Sequence, residues 1–519
     1  MKTIMKTILL HLLATAPVLG LGGFALAASA PTDIGDRREL FVDNQLVERL
    51  SGQAVWQLHH PVPQEIAITH DAPWEGNFSS YHSVFKDGDL YRMYYRGWQV
   101  TALADRLDHS AVSNLCYAES DDGIHWRKPE LGLFEFGGSK ANNIVVPSGE
   151  FKGVNVRVEA SAVFRDENPK AAPEARYKTL LNGPKNSKSL LAFQSPDGIH
   201  WSPMQIAPIM TGDGFDSQNL AFWDALRGEY RAYWRPQGGE TKGTQRGIRT
   251  ATSPDFLHWN NEADLGFADS PPEHLYTNVI KPYYRAPQIL LGFPVRYVDR
   301  GWSDSMRALP QLENREWRAR ENQRYGTAVT ETLIMASRDG VAFKRWNEAF
   351  LRPGIERPGT WNYGQQSMAW HLVETKSALA GAPDELSLYA LEDYWTGKGS
   401  ALRRYTLRLD GFVSVSAPMS GGELITKPIR FKGRRLELNF STSAAGGVRV
   451  EIQDAAGKPL PGFALADSQP MSGDEIVHLV NWKGGSDVSA LAGKPVRLRF
   501  MLHDADLYSF RFADKKLQP

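Results

Sequence analysis

The stretch Ser195-Pro196-Asp197-Gly198-Ile199-His200-Trp201 contains the pattern that predicts the fold. The pattern is Ser-x-Asp-(Gly)-x-x-aromatic after a short strand-like run, and it recurs at 120–126, 253–259 and 337–343. Ser and Asp side chains hydrogen-bond nearby backbone and stabilise a tight turn, where Gly accepts a positive φ. Because one strand-turn unit cannot bury its own apolar face, four copies predict stacked small sheets, as in the blades of a β-propeller.

Alternating apolar residues and Gly/Asp/Pro clusters divide the chain into five groups of strands. The predicted strands are 81–85, 90–96 and 115–119; 157–164, 177–181 and 190–193; 219–223, 230–234 and 248–252; 276–280, 288–293 and 331–336; and 366–372, 385–390 and 402–407. A polar, Arg-rich insertion at 299–325 interrupts the fourth group. We expect the strand at 39–43 to close the ring by pairing with the last blade, since this removes an open sheet edge.

The predicted fold class is all-β, with a five-bladed propeller at 36–417 followed by a β-sandwich at 418–519. The C-terminal part alternates cleanly, as in Val448-Arg449-Val450-Glu451-Ile452, and it lacks the turn pattern of the blades. We expect the sandwich to pack on the propeller. A sugar-binding role for the sandwich is the alternative.

The first residues predict an export signal at 1–27. Lys2 and Lys6 precede a mostly apolar run, and Ala25-Leu26-Ala27 is a small-x-small cleavage site. The mature protein is therefore expected in the periplasm or outside the cell, with no membrane association after cleavage. A retained membrane anchor is the alternative.

Composition limits the possible partners and cofactors. Lys and Arg (59) balance Asp and Glu (59), so nothing indicates nucleic acid or an anionic membrane surface. The single Cys116 excludes an intramolecular disulfide and a Cys-based metal site. No His-Glu-x-x-His, phosphate-binding loop or Gly-x-Ser-x-Gly motif occurs. His59 and His60 would point to opposite faces of a strand. We therefore expect no cofactor and no catalytic metal.

Several segments carry a resemblance to a known family. They are Glu39-Leu40-Phe41-Val42-Asp43, Phe215-Asp216-Ser217-Gln218-Asn219, Ile248-Arg249-Thr250-Ala251-Thr252-Ser253, Arg285-Ala286-Pro287, Tyr394-Trp395-Thr396-Gly397 and Leu407-Arg408-Leu409-Asp410-Gly411-Phe412. In these the chain resembles five-bladed propeller glycoside hydrolases, most closely bacterial (planctomycete-type) proteins labelled glycosyl hydrolase family 32-like, and distantly family 43 enzymes. The Trp-x-Asn-Asp-Pro-Asn-Gly motif of fructosidases is absent, and Arg165-Asp166 is followed by Glu-Asn-Pro. Fructan specificity is therefore not implied.

The resemblance implies an exported glycoside hydrolase that acts on an extracellular oligo- or polysaccharide. Such chemistry needs a carboxylic acid to protonate the leaving oxygen and a carboxylate that acts as nucleophile or base. Two other functions stay open: a non-catalytic carbohydrate-binding propeller and a protein-interaction scaffold. A carbohydrate is the expected partner in the first two cases.

Acids near the starts of inner strands are the catalytic candidates, because inner strands converge on the propeller axis. Asp216 opens the inner strand of blade three, Glu159 lies in the first half of that of blade two, and Glu75 precedes that of blade one. Each also has a structural alternative: a turn residue for Asp216, an arginine partner for Glu159 and a loop anchor for Glu75. The substrate-binding candidates are His82, Gln218, Asn219, Arg249, Arg285, Asp43 and Trp395. Among these, the two arginines can bind a carboxylate or sulfate on a sugar.

Overall fold

The chain forms a five-bladed propeller joined to a large C-terminal sheet. The computed structural model describes residues 30–103, 106–212, 214–236, 246–396 and 399–514, so the predicted export signal lies outside the described residues. From the inside outwards, blade one contains Ser80–Asp87, Leu90–Gly97, Asn114–Ser120 and Ile144–Pro147. Blade two contains Val163–Arg165, Tyr177–Asn182 and Ser189–Ser195, and the last of these pairs with both Ser202–Pro203 and Met210–Thr211.

The remaining blades follow the same antiparallel plan. Blade three contains Leu220–Asp224, Glu229–Trp234, Arg249–Ser253 and Asn260–Asp264. Blade four contains Lys281–Tyr283, Ala286–Gly292, Met335–Ser337, Ala342–Arg345 and the short parallel strand Gly266–Phe267. Blade five contains Val373–Thr375, Glu385–Glu392, Ala401–Leu407 and Val62–Thr69. The inner strands of blades two, four and five begin later than the alternation predicted, because irregular segments with isolated bridges precede them.

The Arg-rich insertion of blade four folds into a hairpin that carries helices. Strands Val295–Asp299 and Ala328–Thr332 pair, and helices Asp304–Ala308, Leu312–Ala319 and Gln323–Thr327 lie between them. Ser303 and Asn322 cap the first and third helices with their side chains. Smaller elements are the hairpins Thr101–Ala102 with Leu107–Asp108 and Gly149–Phe151 with Val154–Val156, and the 3₁₀ turns Pro173–Ala175 and Ser489–Leu491. No helix among the described residues is long and apolar enough to cross a membrane.

The four turn motifs have one common geometry. In each, the serine Oγ accepts the N–H of the residue three positions on, over 2.8–2.9 Å, at Gly123, Gly198, Phe256 and Gly340. The aspartate Oδ1 accepts the next two backbone N–H groups, as from Ile199 and His200, both at 2.8 Å. Burial alone would raise the pKa of Asp255, but bonds from His258 and the turn lower it to about 2. These turns form through contacts within a few residues.

The aromatic residues of the motifs pack against the preceding blade. Trp201 of blade two lies edge-on to Tyr94 of blade one, and Phe343 of blade four lies edge-on to Tyr233 of blade three. In blade three the residue in the glycine position, Phe256, packs on Phe164 of blade two. Trp126 of blade one packs on Tyr389 of blade five, so an aromatic contact also joins the first and last blades of the propeller. These aromatic contacts fill the junctions between neighbouring blades.

Hydrogen bonds between inner segments also join neighbouring blades near the axis. Asn219 N–H donates to Ala160 O, Val163 N–H donates to Ser83 Oγ, and Trp370 N–H donates to His82 O. Asn278 Nδ2 donates to Gln218 O, and Trp370 Nε1 donates to Ile280 O. Each pair of adjacent blades is therefore joined close to the axis.

The strand that closes the ring is Val62–Thr69, which pairs antiparallel with Ala401–Leu407. The prediction that 39–43 closes the ring is wrong, because Glu39–Leu40 pairs instead with Val496–Ala513. Ten strands form this second sheet: Thr32–Gly35, Glu39–Leu40, Val47–Gly52, Val55–Leu58, Val413–Ala417, Gly422–Thr426, Ile429–Phe431, Arg435–Asp454, Asp474–Leu479 and Val496–Ala513. Residues 32–58 thus pair with the C-terminal strands, although the propeller was predicted to begin at 36.

Candidate active site at the mouth of the propeller

Side chains near the starts of the inner strands, together with Arg96 near the end of Leu90–Gly97, lie at one end of the propeller axis. We call this end the mouth and define it by Tyr81, Arg96, Glu159, Asp216 and Tyr276. Ser80, next to Tyr81, pairs with Arg96 across blade one, and the Arg235 guanidinium that binds Asp216 lies 4.7 Å from the centroid of the Tyr276 ring. Burial raises the pKa of Tyr81; Tyr276 adds to this shift and Arg235 opposes it. The mouth therefore brings together groups from blades one to four.

Asp216 is one of two partly exposed carboxylates at the mouth, with 43% of its side chain accessible. Arg235 grips it as a fork, with Nε 2.9 Å from Oδ1 and Nη2 2.8 Å from Oδ2. The guanidinium also lies 4.7 Å from the centroid of the Tyr276 ring. Burial disfavours the charge of Arg235, but its bonds to Asp216 raise its pKa above the ordinary arginine value. Asp216 is thus held in place with an accessible face.

Glu159 is the second partly exposed carboxylate, with 33% of its side chain accessible. It lies in a bend ahead of Val163–Arg165 rather than within a predicted strand at 157–164. Arg157 Nη1 donates to its Oε1 at 2.6 Å. The adjacent Ala160 O accepts the Asn219 N–H of blade three, which brings the two acidic segments side by side.

Glu75 is not an accessible acid. Its side chain is fully buried and accepts hydrogen bonds from Tyr95 Oη at 2.5 Å, Lys128 Nζ at 2.7 Å and Ala72 N–H at 2.9 Å. Burial alone would raise its pKa, but bonding to His70 and Lys128 lowers it to about 2. A carboxylate that stays ionised and enclosed is a structural anchor, so the loop-anchor alternative fits this residue.

His82 belongs to the same buried network. Its Nε2 lies 2.8 Å from His70 Nε2, and burial lowers the pKa of His82 well below the ordinary histidine value. One ring must therefore donate and the other accept. A bulge in the inner strand of blade one places Tyr81 and His82 opposite Tyr95, so Tyr81 lies at the mouth while His82 is buried.

Gln218 and Asn219 are buried in the junction between blades. Gln218 Nε2 lies 3.5 Å from His82 O, and Asn219 Nδ2 donates to Phe215 O at 3.1 Å. Both are close to Asp216 in the chain, but their amides hold backbone groups of the ring. Their described contacts are structural.

Three predicted binding residues lie outside the group that defines the mouth, and each is held in an ion pair. Arg249 pairs with Asp264 of the outermost strand of blade three, at 2.7 Å. Arg285 pairs with buried Asp410 at 2.8 Å, next to the C-terminal sheet. Asp43 pairs with Arg338 of the fourth turn motif at 2.8 Å. Sequence could not show that these charges are already paired.

Trp395 is buried behind the mouth rather than exposed as a sugar platform. It packs on Phe78 at 5.1 Å and on Tyr325 at 5.1 Å, and Arg318 lies 5.7 Å from its ring. Phe78 also contacts Tyr394 at 4.4 Å. The indole thus packs inside an aromatic cluster with Phe78 and Tyr325.

Non-glycine residues with positive φ occur just ahead of inner strands or at their starts in four blades. They are Tyr81 (55°), Phe215 (68°), Val279 (46°) and Gln366 (58°). Each costs about 1–3 kcal/mol, and such strain concentrates at functional sites. Phe215 directly precedes Asp216, so strained backbone fixes the direction of this carboxylate.

A separate cavity of about 440 Å³ is lined by the inner segments of blades one, two, four and five. We call it the far cavity; its polar lining includes Lys281, His371, Glu167 and Glu374. Lys281 Nζ donates to His371 Nδ1 at 2.9 Å. Burial lowers the pKa of Lys281 to about 8, although Glu167 opposes this shift. Across the described residues, no group of three or more His, Cys, Asp or Glu side chains is arranged to hold a metal ion.

Comparisons with known proteins give fold similarity at low identity. No protein-family model matches the chain, and no curated protein matches it. Similar solved structures include a protein named glycoside hydrolase (14% identity, 67% of this chain, 92% of that chain, TM-score 0.42). Others are an N-acetylgalactosamine deacetylase from F. plautii in complex with blood group B trisaccharide (11%, 68%, 94%, 0.41) and the catalytic domain of a Coprinopsis cinerea GH62 alpha-L-arabinofuranosidase (10%, 67%, 97%, 0.40). At such values, conclusions about this chain rest on its own strand pairing and side chains.

Sequence reasoning missed Tyr81, Arg96, Arg235 and Tyr276 as members of the mouth. Arg96 and Arg235 each follow an apolar strand run, as in Met93-Tyr94-Tyr95-Arg96, which is a signal for a charge at a strand end. The tyrosines carry no such signal, because aromatic residues are also common between blades. Their position depends on the strand order around the ring.

Proposed function

We propose that this protein is an exported glycoside hydrolase of the five-bladed propeller type that cleaves an extracellular oligo- or polysaccharide at the mouth. The supporting observation is that Asp216 and Glu159, from adjacent blades, are partly accessible carboxylates on two segments joined by the hydrogen bond from Asn219 N–H to Ala160 O. Two carboxylates on either side of a glycosidic bond are the minimal equipment for its hydrolysis. We also propose that the chain is related to the glycosyl hydrolase family 32-like proteins that its sequence resembles. We further propose that its C-terminal part forms a β-sandwich that packs on the propeller.

In this mechanism one carboxyl group protonates the leaving oxygen while the other attacks the sugar or activates water. Arg235 and Arg157 each form an ion pair with one of these acids and hold it in place. The acid that protonates the leaving oxygen must carry its proton when the substrate is bound. The phenol of Tyr81 has a pKa raised far above its usual range by burial and stays a neutral hydrogen-bond donor beside them.

The proposal is tested by screening furanosides, pyranosides and anionic polysaccharides for new reducing ends. Wild type is compared with a D216N/E159Q double variant, and an R249Q variant serves as a matched surface control. Turnover in wild type and R249Q, with loss in the double variant, supports the proposal. Turnover that persists in the double variant, or no turnover on any substrate, contradicts it.

A non-catalytic sugar-binding propeller is the second candidate, favoured by one observation. The third predicted acid, Glu75, is buried and ionised, and both remaining acids are paired with arginine. In that case glycans bind at the mouth without turnover, and loss of the two acids leaves affinity unchanged.

A further inference from the structure

The far cavity contains a lysine amine without a close counterion. Lys281 is partly exposed in the lining of the cavity, and its Nζ donates to His371 Nδ1 at 2.9 Å. The centroid of the Trp370 ring lies 5.9 Å from the same nitrogen. Among the described residues this ammonium has no other hydrogen-bond partner and no ion pair, and no residue that borders a gap in the described ranges lines the cavity. Two of its three N–H groups are therefore available to a ligand.

His371 holds this amine without neutralising its charge. An ammonium only donates hydrogen bonds, so Nδ1 of His371 accepts and the ring proton is on Nε2. Burial, together with the nearby charge of Lys281, lowers the pKa of His371 well below the ordinary histidine value. The imidazole packs on the Trp370 ring at 4.1 Å and on the Phe85 ring at 5.7 Å, which fixes its direction. His371 is therefore a neutral support that positions Nζ in the cavity wall.

The carboxylates of the lining leave the lysine charge unpaired. The Tyr284 hydroxyl donates to Glu374 Oε1, and Asp384 forms an ion pair with a surface lysine at 2.8 Å. Glu167 is exposed and has no ion pair among the described residues. It opposes the lowering of the Lys281 pKa by burial without reversing it. A partly buried charge without a close counterion is costly, and a bound anion would offset that cost.

Apolar side chains supply another part of the lining. Phe85 of blade one and Val279, Leu291 and Phe293 of blade four border the same volume of about 440 Å³. A pocket that combines apolar walls with a few placed polar groups favours a ligand with an apolar body and a matching polar end. The charged residues of the lining are equal in number, three of each sign: Lys86, Arg165, Lys281, Glu167, Glu374 and Asp384. The net charge of the lining therefore does not exclude an anion.

We propose that the far cavity is a second ligand site, which binds the carboxylate of a small organic acid at Lys281 and the apolar body of that acid against its apolar lining. A carboxylate oxygen accepts a free N–H of Nζ in a charge-assisted hydrogen bond, which gives the ammonium its counterion. None of the residues that define the mouth lines this cavity. The inference is therefore independent of the proposed hydrolysis.

The test is titration calorimetry of the full chain at pH 7 and low salt with three probes. The first, 3-phenylpropionate, has both the charge and the apolar body. Its neutral counterpart is 3-phenylpropanamide, and acetate has the charge without the body. We expect 3-phenylpropionate to bind about ten-fold or more tightly than either of the others, since a charged hydrogen bond and apolar burial both contribute. Equal binding of the acid and its amide, or no binding of the acid, overturns the inference.

Two variants and a matched control locate the binding. K281M should lower the affinity for 3-phenylpropionate about ten-fold or more and leave the binding of the amide unchanged. K458M should change neither, because Lys458 is an exposed lysine of the C-terminal sheet that lies outside the cavity lining.

E167Q tests the same charge by a gain rather than a loss. Removing the one lining carboxylate without an ion-pair or hydrogen-bond partner should raise the affinity for the acid about two-fold or more, because it competes electrostatically for Lys281. The substitution is on an exposed side chain, so it reports on the site even if K281M folds poorly. Unchanged affinity for the acid in both K281M and E167Q, or an equal loss for the acid and the amide in K281M, overturns the inference.

Discussion

The mouth and the far cavity are built from opposite ends of the same inner segments, yet they differ in chemistry. The mouth combines two accessible carboxylates, each paired with an arginine, with the tyrosines Tyr81 and Tyr276. The far cavity holds a lysine–histidine contact at 2.9 Å, with Glu167 and Glu374 in its lining. The two accessible acids and the strained backbone favour the mouth as the site of hydrolysis, whereas the far cavity offers no such pair of accessible acids at strained strand starts.

The largest expected effect is on turnover, and it distinguishes the mouth from the far cavity. Removing both acids of the mouth with D216N/E159Q should lower turnover about 10³-fold, because acid–base or nucleophilic steps are lost. Removing both acids of the far cavity with E167Q/E374Q should change turnover less than three-fold. Reducing-end assays on the same glycan provide the comparison. A larger loss of turnover in E167Q/E374Q than in D216N/E159Q would place the catalytic site at the far cavity instead.

The next effect concerns the buried support of the mouth. E75Q should destabilise the protein by about 3 kcal/mol at pH 7, because Lys128 loses a buried charge partner. The pKa of Glu75 falls from 4.5 to about 2 on folding, so its contribution is present above about pH 4.5 and disappears as pH falls through 2. Urea unfolding of wild type and E75Q at several pH values measures this. E374Q, from the far cavity, should stay within about 0.5 kcal/mol.

The charge of Lys281 lowers the free energy of unfolding, and we expect this effect to be smaller than that of Glu75. Its pKa falls from 10.5 to about 8 on folding, so its charge opposes folding below pH 8, and this penalty vanishes as pH rises to about 10.5. The free energy of unfolding of K281M, measured relative to wild type, should therefore be higher at pH 7 than at pH 10.5. The expected difference is roughly 1–2 kcal/mol after solvent screening. Thermal melts at both pH values test this. An equal difference at both values would mean that the amine titrates normally.

The smallest expected effect is on stability, and it comes from a turn in a blade that is remote from both the mouth and the far cavity. S195A should cost about 0.5–1 kcal/mol, because Gly198 N–H loses its acceptor in one turn motif. Neither turnover nor glycan affinity should change. Melting temperature and titration on the same sample check this, and altered affinity would show that the turns influence the mouth.

Much of the ring was predictable because its signals are local. The Ser-x-Asp-Gly turn closes through bonds spanning two or three residues, and the hairpins of blades one and three follow alternation, so their strands agree closely with prediction. Asp216 and Glu159 were predictable as acids ahead of inner strands. Inner strands of blades two, four and five were misplaced because irregular bridged segments do not alternate.

The sequence by itself determined the number of blades and the turns, since strand alternation and the turn motif are both contained within short stretches of the chain. The tertiary structure decided which strand closes the ring, which arginines are already paired and which acid is buried. Val62–Thr69 meets Ala401–Leu407, and Arg285 meets Asp410, across more than a hundred residues. Local sequence patterns do not predict such long-range contacts. These contacts depend on how the whole chain folds and which charges and sheet edges it brings together.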